Sequence, residues 1–123
     1  MHIHQSAEDY LEAILRLREN KGLVRSVDIS QLLGVTKPSV SFAMKKLREN
    51  EFIHMDEENL ITLTDKGEAI AMRIYDRHKT IMSFLTAIGV EESVAREDAC
   101  KLEHDISEES FNALRRHLLK LEM

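Results

Sequence analysis

The stretch Leu33-Gly34-Val35-Thr36-Lys37-Pro38 constrains this chain more than any other. Gly adopts positive φ without steric cost, Thr is a strong helix N-cap, and Pro in a first helical turn loses no hydrogen bond. Together they predict a tight turn that closes one helix and opens the next. On its near side, Ser26 is a suitable N-cap for a short helix with Ile29, Leu32 and Leu33 apolar. On its far side, Val40, Ala43, Met44 and Leu47 recur at helical spacing and are expected to face inward. Lys37, Ser41, Lys45 and Arg48 form the opposite stripe, and Val35 is placed to fill the corner.

The flanking segments complete a recognisable order. Ser6 to Glu19 reads as a first helix, with Tyr10, Leu11, Ile14, Leu15 and Leu17 on one face and Gly22 ending it. Ser6 followed by Asp9 has the spacing of a capping box. Beyond the third helix, Phe52 to Met55 and Leu60 to Leu63 are β-prone runs separated by Asp56-Glu57-Glu58-Asn59, which predicts a hairpin. Helix, helix, turn, helix, hairpin is a winged helix-turn-helix, expected over residues 1–65.

The remainder, residues 66–123, reads as a helical domain. A long helix is expected from Thr64 to Ile88, with Ile70, Ile74, Arg77, Ile81, Phe84, Leu85 and Ile88 on its inner side and Gly89 as its stop. A second runs from Glu91 to Ile106, with Ala95, Ala99, Leu102 and Ile106 apolar. Ser107 caps a last helix bearing Phe111, Leu114, Leu118 and Leu121. The fold class is therefore mainly α with a small β-hairpin. The apolar stripes of the last two helices exceed what one long helix can cover, which predicts a homodimer.

Composition narrows the function classes. No apolar run approaches about 18 residues, so no membrane-crossing helix is expected. The start MHIHQSAEDY lacks the apolar stretch of a signal peptide. The lone Cys100 can form no internal disulfide, and a cytoplasmic location follows as the expectation. The formal net charge is −5, yet residues 36–50 carry Lys37, Lys45, Lys46 and Arg48 against Glu49 alone. A locally basic helix in an acidic chain fits a double-stranded DNA operator at one place and a cation elsewhere.

In a helix-turn-helix the second helix lies in the major groove. Lys37, Ser39, Ser41 and Lys45 have chemistry suited to phosphates or base edges. With Thr36, Pro38 and Lys46 they make up the expected DNA-contacting set. A solvated polar face is the default for a single amphipathic helix; the turn before it and the hairpin after it reverse that preference. The wing tip, with Asp56, Glu57 and Glu58, would repel phosphate, leaving Asn59 as its only expected contact.

Cys100, Glu103 and His104 stand at i, i+3 and i+4, so thiolate, carboxylate and imidazole leave one helix face. A buried structural Cys beside an exposed Glu-His pair would read the same way. Asp9 and Glu12 form a second i, i+3 pair, equally readable as a capping residue and a solvated neighbour. His78, within the stripe Ile74, Ile81 and Leu85, could be a hydrogen-bonded core residue. His2 and His4 are assigned no role. It is the conjunction of these groups in a small helix-turn-helix chain that points to metal.

The chain resembles the diphtheria toxin repressor and manganese transport regulator family. The resemblance rests on Asp9-Tyr10-Leu11-Glu12, Val35-Thr36-Lys37-Pro38-Ser39-Val40-Ser41, Leu63-Thr64-Asp65-Lys66-Gly67, Arg77-His78 and Cys100-Lys101-Leu102-Glu103-His104, in the family's order along nearly the whole chain. It implies a metal-dependent repressor of metal-homeostasis genes that senses Mn²⁺ or Fe²⁺, with Zn²⁺ or Co²⁺ as substitutes in vitro. It implies Asp9, Glu12, His78, Cys100, Glu103 and His104 as metal ligands. Asp9 and Glu12 match the manganese branch. Cys100 matches the iron branch, since the manganese branch has a bridging Glu there, and a thiolate favours Fe²⁺, Co²⁺ or Zn²⁺ over Mn²⁺. One well-defined ion is therefore expected. The iron branch's ancillary site would map onto His78, Met82 and Arg96, and neither Met82 nor Arg96 suits a hard cation. The sequence given ends at Met123, without the SH3-like third domain many members carry, so activation is expected from the first two domains.

Three other classes compete. One is a winged-helix regulator of a small organic ligand, with Cys100 and His78 structural. Another is an enzyme using His104-Asp105, but the further His ligands such chemistry needs are not suitably placed, and an enzyme is not expected. The third is a protein-binding winged helix.

Overall fold

The computed structural model of the protein describes residues 5–121, and His2 and His4 lie outside them. The elements run α1 (Gln5–Lys21), α2 (Ser26–Leu33), α3 (Lys37–Glu49), β1 (Ile53–Met55), β2 (Ile61–Leu63), α4 (Asp65–Ala87), α5 (Glu92–Asp105) and α6 (Glu108–Leu121). This is the mainly α architecture with one small hairpin that the sequence predicts. The chain forms two compact units, Met1–Met72 and Arg73–Met123, with the division inside α4.

In the first unit, α1 packs on α2, α3 and β2, and α3 packs on β1. Leu11, Ile14, Ile29, Val40, Met44, Phe52 and Ile53 are buried at its core. The turn that fixes the motif has the expected geometry. Gly34 has φ 67° and its N–H donates to the Ser30 carbonyl at 2.9 Å. The Ser30 hydroxyl donates to the Val35 carbonyl at 2.6 Å, and Thr36 Oγ1 accepts the Ser39 N–H at 3.2 Å.

Two expected caps are not where local preference puts them. The chain is already helical at Gln5, so Ser6 lies within α1. The N-cap of α2 is Arg25, and Ser26 is its first helical residue. Asp28, the third helical residue, supplies the acidic half of a capping box. Its carboxylate accepts the Arg25 N–H at 2.9 Å and the Lys21 ammonium at 2.5 Å. The Lys21 hydrogen bond, followed by that N–H, lowers the Asp28 pKa.

The wing pairs Ile53 with Leu63, His54 with Thr62 and Met55 with Ile61, antiparallel. At its tip Asp56 Oδ1 accepts the N–H groups of Glu58 at 2.8 Å and Leu60 at 2.9 Å, while Asn59 takes φ 63°. The Ile61 N–H donates to the Val24 carbonyl at 2.8 Å, so the α1–α2 connection is tied to the hairpin. Where the hairpin leads into α4, Thr64 Oγ1 donates to the Glu51 carbonyl at 2.7 Å and accepts the Gly67 N–H at 3.1 Å. Gly67 packs directly on the Phe52 peptide. A Cβ there would lie 2.9 Å from the Phe52 carbonyl carbon and closer still to its oxygen.

In the second unit Ile81, Ala99 and Phe111 form a buried cluster on which Met82, Leu85 and Ile106 pack. Gly89, at φ 105°, terminates α4, with the Val90 N–H donating to the Leu85 carbonyl at 2.9 Å. Ser107 caps α6, its Oγ accepting the Ser110 N–H at 3.1 Å. Two residues expected on the inner side lie outside. Ile88, just past the end of α4 at Ala87, is 55% exposed. Leu102 is 43% exposed because the buried line of α5 runs Ala95, Ala99, Glu103 at four-residue steps. A carboxylate occupies the place where an aliphatic side chain was expected.

Candidate metal centre

That buried carboxylate organises the site. From α4, His78 presents Nδ1 2.9 Å from Glu103 Oε2, and both side chains are almost wholly covered. Cys100, one turn before Glu103 on α5, places Sγ 3.8 Å from the same Nδ1. The donor atoms of His78, Cys100 and Glu103 all lie within 4.8 Å of one another. Donors that share one ion at about 2.0–2.3 Å each stand roughly 3–4 Å apart, and the His78–Glu103 and His78–Cys100 separations of 2.9 and 3.8 Å are close to that range.

The second carboxylate oxygen is the more telling atom. Glu103 Oε1 is buried and accepts no hydrogen bond from the described residues. It lies 3.4 Å from His104 Nε2, an ion-pair distance if that imidazole is protonated. Burying a carboxylate oxygen without a donor costs about 1–3 kcal/mol or more, and buried charges are as a rule paired or bound to metal. The donor set fits a divalent ion: one thiolate, one or two imidazoles and a carboxylate.

Burial also separates the metal reading from the structural one. A structural cysteine would be buried beside an exposed Glu-His pair. The reverse holds: Cys100 is exposed, Glu103 is fully buried and the His104 side chain is almost wholly covered.

Arg77 was assigned by periodicity to the inner side of α4, but its role is not visible from spacing. Its guanidinium donates to the carbonyls of Glu103 at 3.3 Å and Ile106 at 2.7 Å and stacks on Phe111, with Cζ 5.2 Å from the ring centroid. It satisfies carbonyls near the C-terminus of α5 that lack helical partners, and so holds the segment bearing the site. Met82 packs on the buried cluster and Arg96 pairs with Glu92 at 3.1 Å, so neither is turned to metal binding.

Asp9 and Glu12 belong to the first unit, on α1, half-buried and buried respectively. In the same unit Thr36, Lys37, Pro38, Ser39, Ser41, Lys45 and Lys46 are all exposed on or at the start of α3. Thr36 and Ser39 are partly committed to the cap, Thr36 Oγ1 donating to Ser39 Oγ at 2.8 Å. Phe42, which the polar-face reading passed over, is 63% exposed among them, with Lys46 Nζ 4.7 Å from its ring centroid. Among the described residues no helix is long and apolar enough to cross a membrane.

Two family descriptions match the chain in succession. Residues 2–59 match the iron dependent repressor N-terminal DNA binding domain, and residues 64–123 match the iron dependent repressor metal binding and dimerisation domain. An HTH-type transcriptional regulator of Methanocaldococcus jannaschii, itself uncharacterised, is 40% identical over 113 residues, covering 90% of each chain. The transcriptional regulator MntR of Escherichia coli O157:H7 is 36% identical over 114 residues, 93% of this chain and 74% of that protein. The structure of the manganese regulator SloR superposes with a TM-score of 0.80 at 29% identity, covering 96% of this chain and 54% of that one. The chain thus spans about half the length of that solved structure. With both halves of the family matched in order, a cluster of candidate metal ligands in the second and an exposed basic helix in the first, the chain belongs to the iron-dependent repressor family, the diphtheria toxin repressor and manganese transport regulator family that its sequence resembles.

Proposed function

We propose that this chain is a metal-dependent, DNA-binding transcriptional repressor that senses Mn²⁺ or Fe²⁺ and controls metal-homeostasis genes. The observation that carries the reading is the buried Glu103 carboxylate, which faces His78 and Cys100 and has one oxygen outside any hydrogen bond from the described residues. His78, Cys100, Glu103 and His104 would hold the ion. Asp9 and Glu12 join the set through the family resemblance. A divalent ion supplies positive charge that offsets the buried carboxylate, and the protein's residues do the rest. Arg77 fixes the end of α5, His78 orients Glu103, and Cys100 tunes selectivity through its soft sulfur.

In this reading residues 1–65 are the DNA-reading domain and residues 66–123 the metal-binding and dimerisation domain. The chain acts as a homodimer on an operator in the cytoplasm and is not an enzyme. Ile88, Val94, Leu102, Leu119 and Leu121 are exposed apolar groups available to a dimer contact. Two copies place two recognition helices on half-sites about one DNA turn (~34 Å) apart. Metal and operator affinity are then coupled in both directions.

The test is a gel shift of anaerobically purified protein across Mn²⁺, Fe²⁺, Co²⁺ and Zn²⁺, with a chelator control. Operator retention that rises with metal and is lost in Glu103→Ala supports the reading. Retention equally tight in chelator overturns it.

A further inference from the structure

The outermost line of the DNA-reading helix is not the basic stripe. Val40, Met44 and Leu47 are the buried residues of α3. At 100° per residue, the line diametrically opposite them is Pro38, Phe42, Lys45 and Glu49, all exposed. Phe42 lies in the second turn of the helix. It is 63% exposed, and the described residues leave its outer edge open. Its inner side borders a shallow groove shared with Ala7, Tyr10, Ala43 and Leu47.

A single exposed apolar residue needs no explanation on a protein surface. This one has a specific setting. Lys46 Nζ stands 4.7 Å from its ring centroid, and Lys37 and Lys45 lie exposed on either side along the helix. The ring is therefore the apolar centre of a cationic surface, complementary to a groove lined by phosphates. Within the major groove the one apolar group on a base edge is the C5-methyl of thymine, and Phe is among the side chains that contact it. Hydroxyl and ammonium groups at Ser41 and Lys45 leave that methyl unread.

We propose that Phe42 is a specificity-determining residue that reads a thymine methyl in each half-site of the operator. The inference rests on the DNA-reading function proposed above. It assigns Phe42 to sequence discrimination, and leaves Lys37, Lys45 and Lys46 to phosphates, where they supply affinity common to all sequences.

The test uses the full-length chain loaded with Mn²⁺ and an operator obtained by selection from random duplexes. Each thymine is replaced in turn by deoxyuridine, which removes the methyl and nothing else. For the unmodified protein, one symmetry-related thymine should show a loss of about three- to fivefold, the worth of one buried methyl-sized group. Phe42→Ala should bind the thymine and uracil duplexes equally at that position, with an unchanged salt dependence. Phe42→Leu should retain part of the preference. Discrimination that persists in Phe42→Ala, or an equal loss on both duplexes of the pair with the preference intact, overturns the assignment. If the unmodified protein selects no sequence at all, the DNA-reading function itself fails, a result distinct from either.

Discussion

Glu103 meets His78 through one carboxylate oxygen at 2.9 Å and keeps its other oxygen buried, with no hydrogen bond from the described residues. A side chain placed only to stabilise the helix pair would not leave that second oxygen without a donor, because the desolvation penalty is uncompensated. The arrangement makes sense when a cation supplies the missing partner, and it makes Glu103 the residue on which removal of metal should be felt most.

Glu103→Gln keeps the size of the side chain and can keep the contact to His78, but removes the charge. We expect metal affinity to fall by more than about 100-fold, beyond the 10–100-fold typical of groups that only support a ligand. The metal-free protein should not melt at a lower temperature than the wild type, since a buried charge is removed while the contact to His78 is kept. Isothermal titration with Mn²⁺ and a thermal melt in chelator read the two quantities separately. A destabilised metal-free variant would mark Glu103 as structural.

In the proposed site, Cys100 is the ligand that sets the preference among ions. Replacing the thiol by a carboxylate in Cys100→Glu should move selectivity towards Mn²⁺ and away from Zn²⁺ and Co²⁺, following ligand softness. Competitive titration measures the ratio. Cobalt bound to the wild type should show a thiolate charge-transfer absorption that Cys100→Ser lacks. Selectivity and spectra that ignore both substitutions would remove Cys100 from the ligand set.

Gly67 is required for a different reason. It sits against the Phe52 peptide, so the smallest added side chain must displace backbone. Gly67→Ala would gain helix propensity on α4, yet overpacking of about 1–3 kcal/mol should outweigh it. Urea unfolding should therefore show a lower midpoint. A midpoint at or above the wild-type value would mean that the α4 start yields without cost.

Asp28 gives the fold a defined acid dependence. The Lys21 ammonium and then the Arg25 N–H hold its pKa below the usual aspartate range. A depressed carboxylate pKa adds stability above the unfolded value of about 3.9. That contribution is lost as pH falls through the lower folded value. Asp28→Asn should be less stable than the wild type by about 0.5–1 kcal/mol at neutral pH and low salt. The gap should narrow with salt and close at the acid end. A difference independent of pH would assign the loss to packing.

The turn chemistry of Gly34 and Thr36, the hairpin, the stop at Gly89 and the Ser107 cap were legible because each depends on a few adjacent residues. The caps at Ser6 and Ser26 were misplaced because local preference does not register a helix that starts earlier, or Asp28 and Lys21 acting from one turn away. Periodicity put Leu102 inside because it weighs residues by hydrophobicity, and Glu103 was buried instead by its contact with His78. Thiolate, carboxylate and imidazole spacing on α5 was visible in the chain. Their meeting with His78 depends on how α4 and α5 pack, which no spacing encodes. Phe42 is not legible in the sequence as a DNA-facing residue, because an apolar side chain in an amphipathic helix reads by default as core.

The hydrogen bond from the Ile61 N–H to the Val24 carbonyl joins two segments far apart in the chain. Rupturing it exposes the backbone of both the hairpin and the connection before the DNA-reading helices. The wing is thus not an appendage that can fray alone. In a hydrogen-exchange experiment the Ile61 amide should exchange at the rate of the whole first unit, and its slow release would report the cooperativity of the reading head itself.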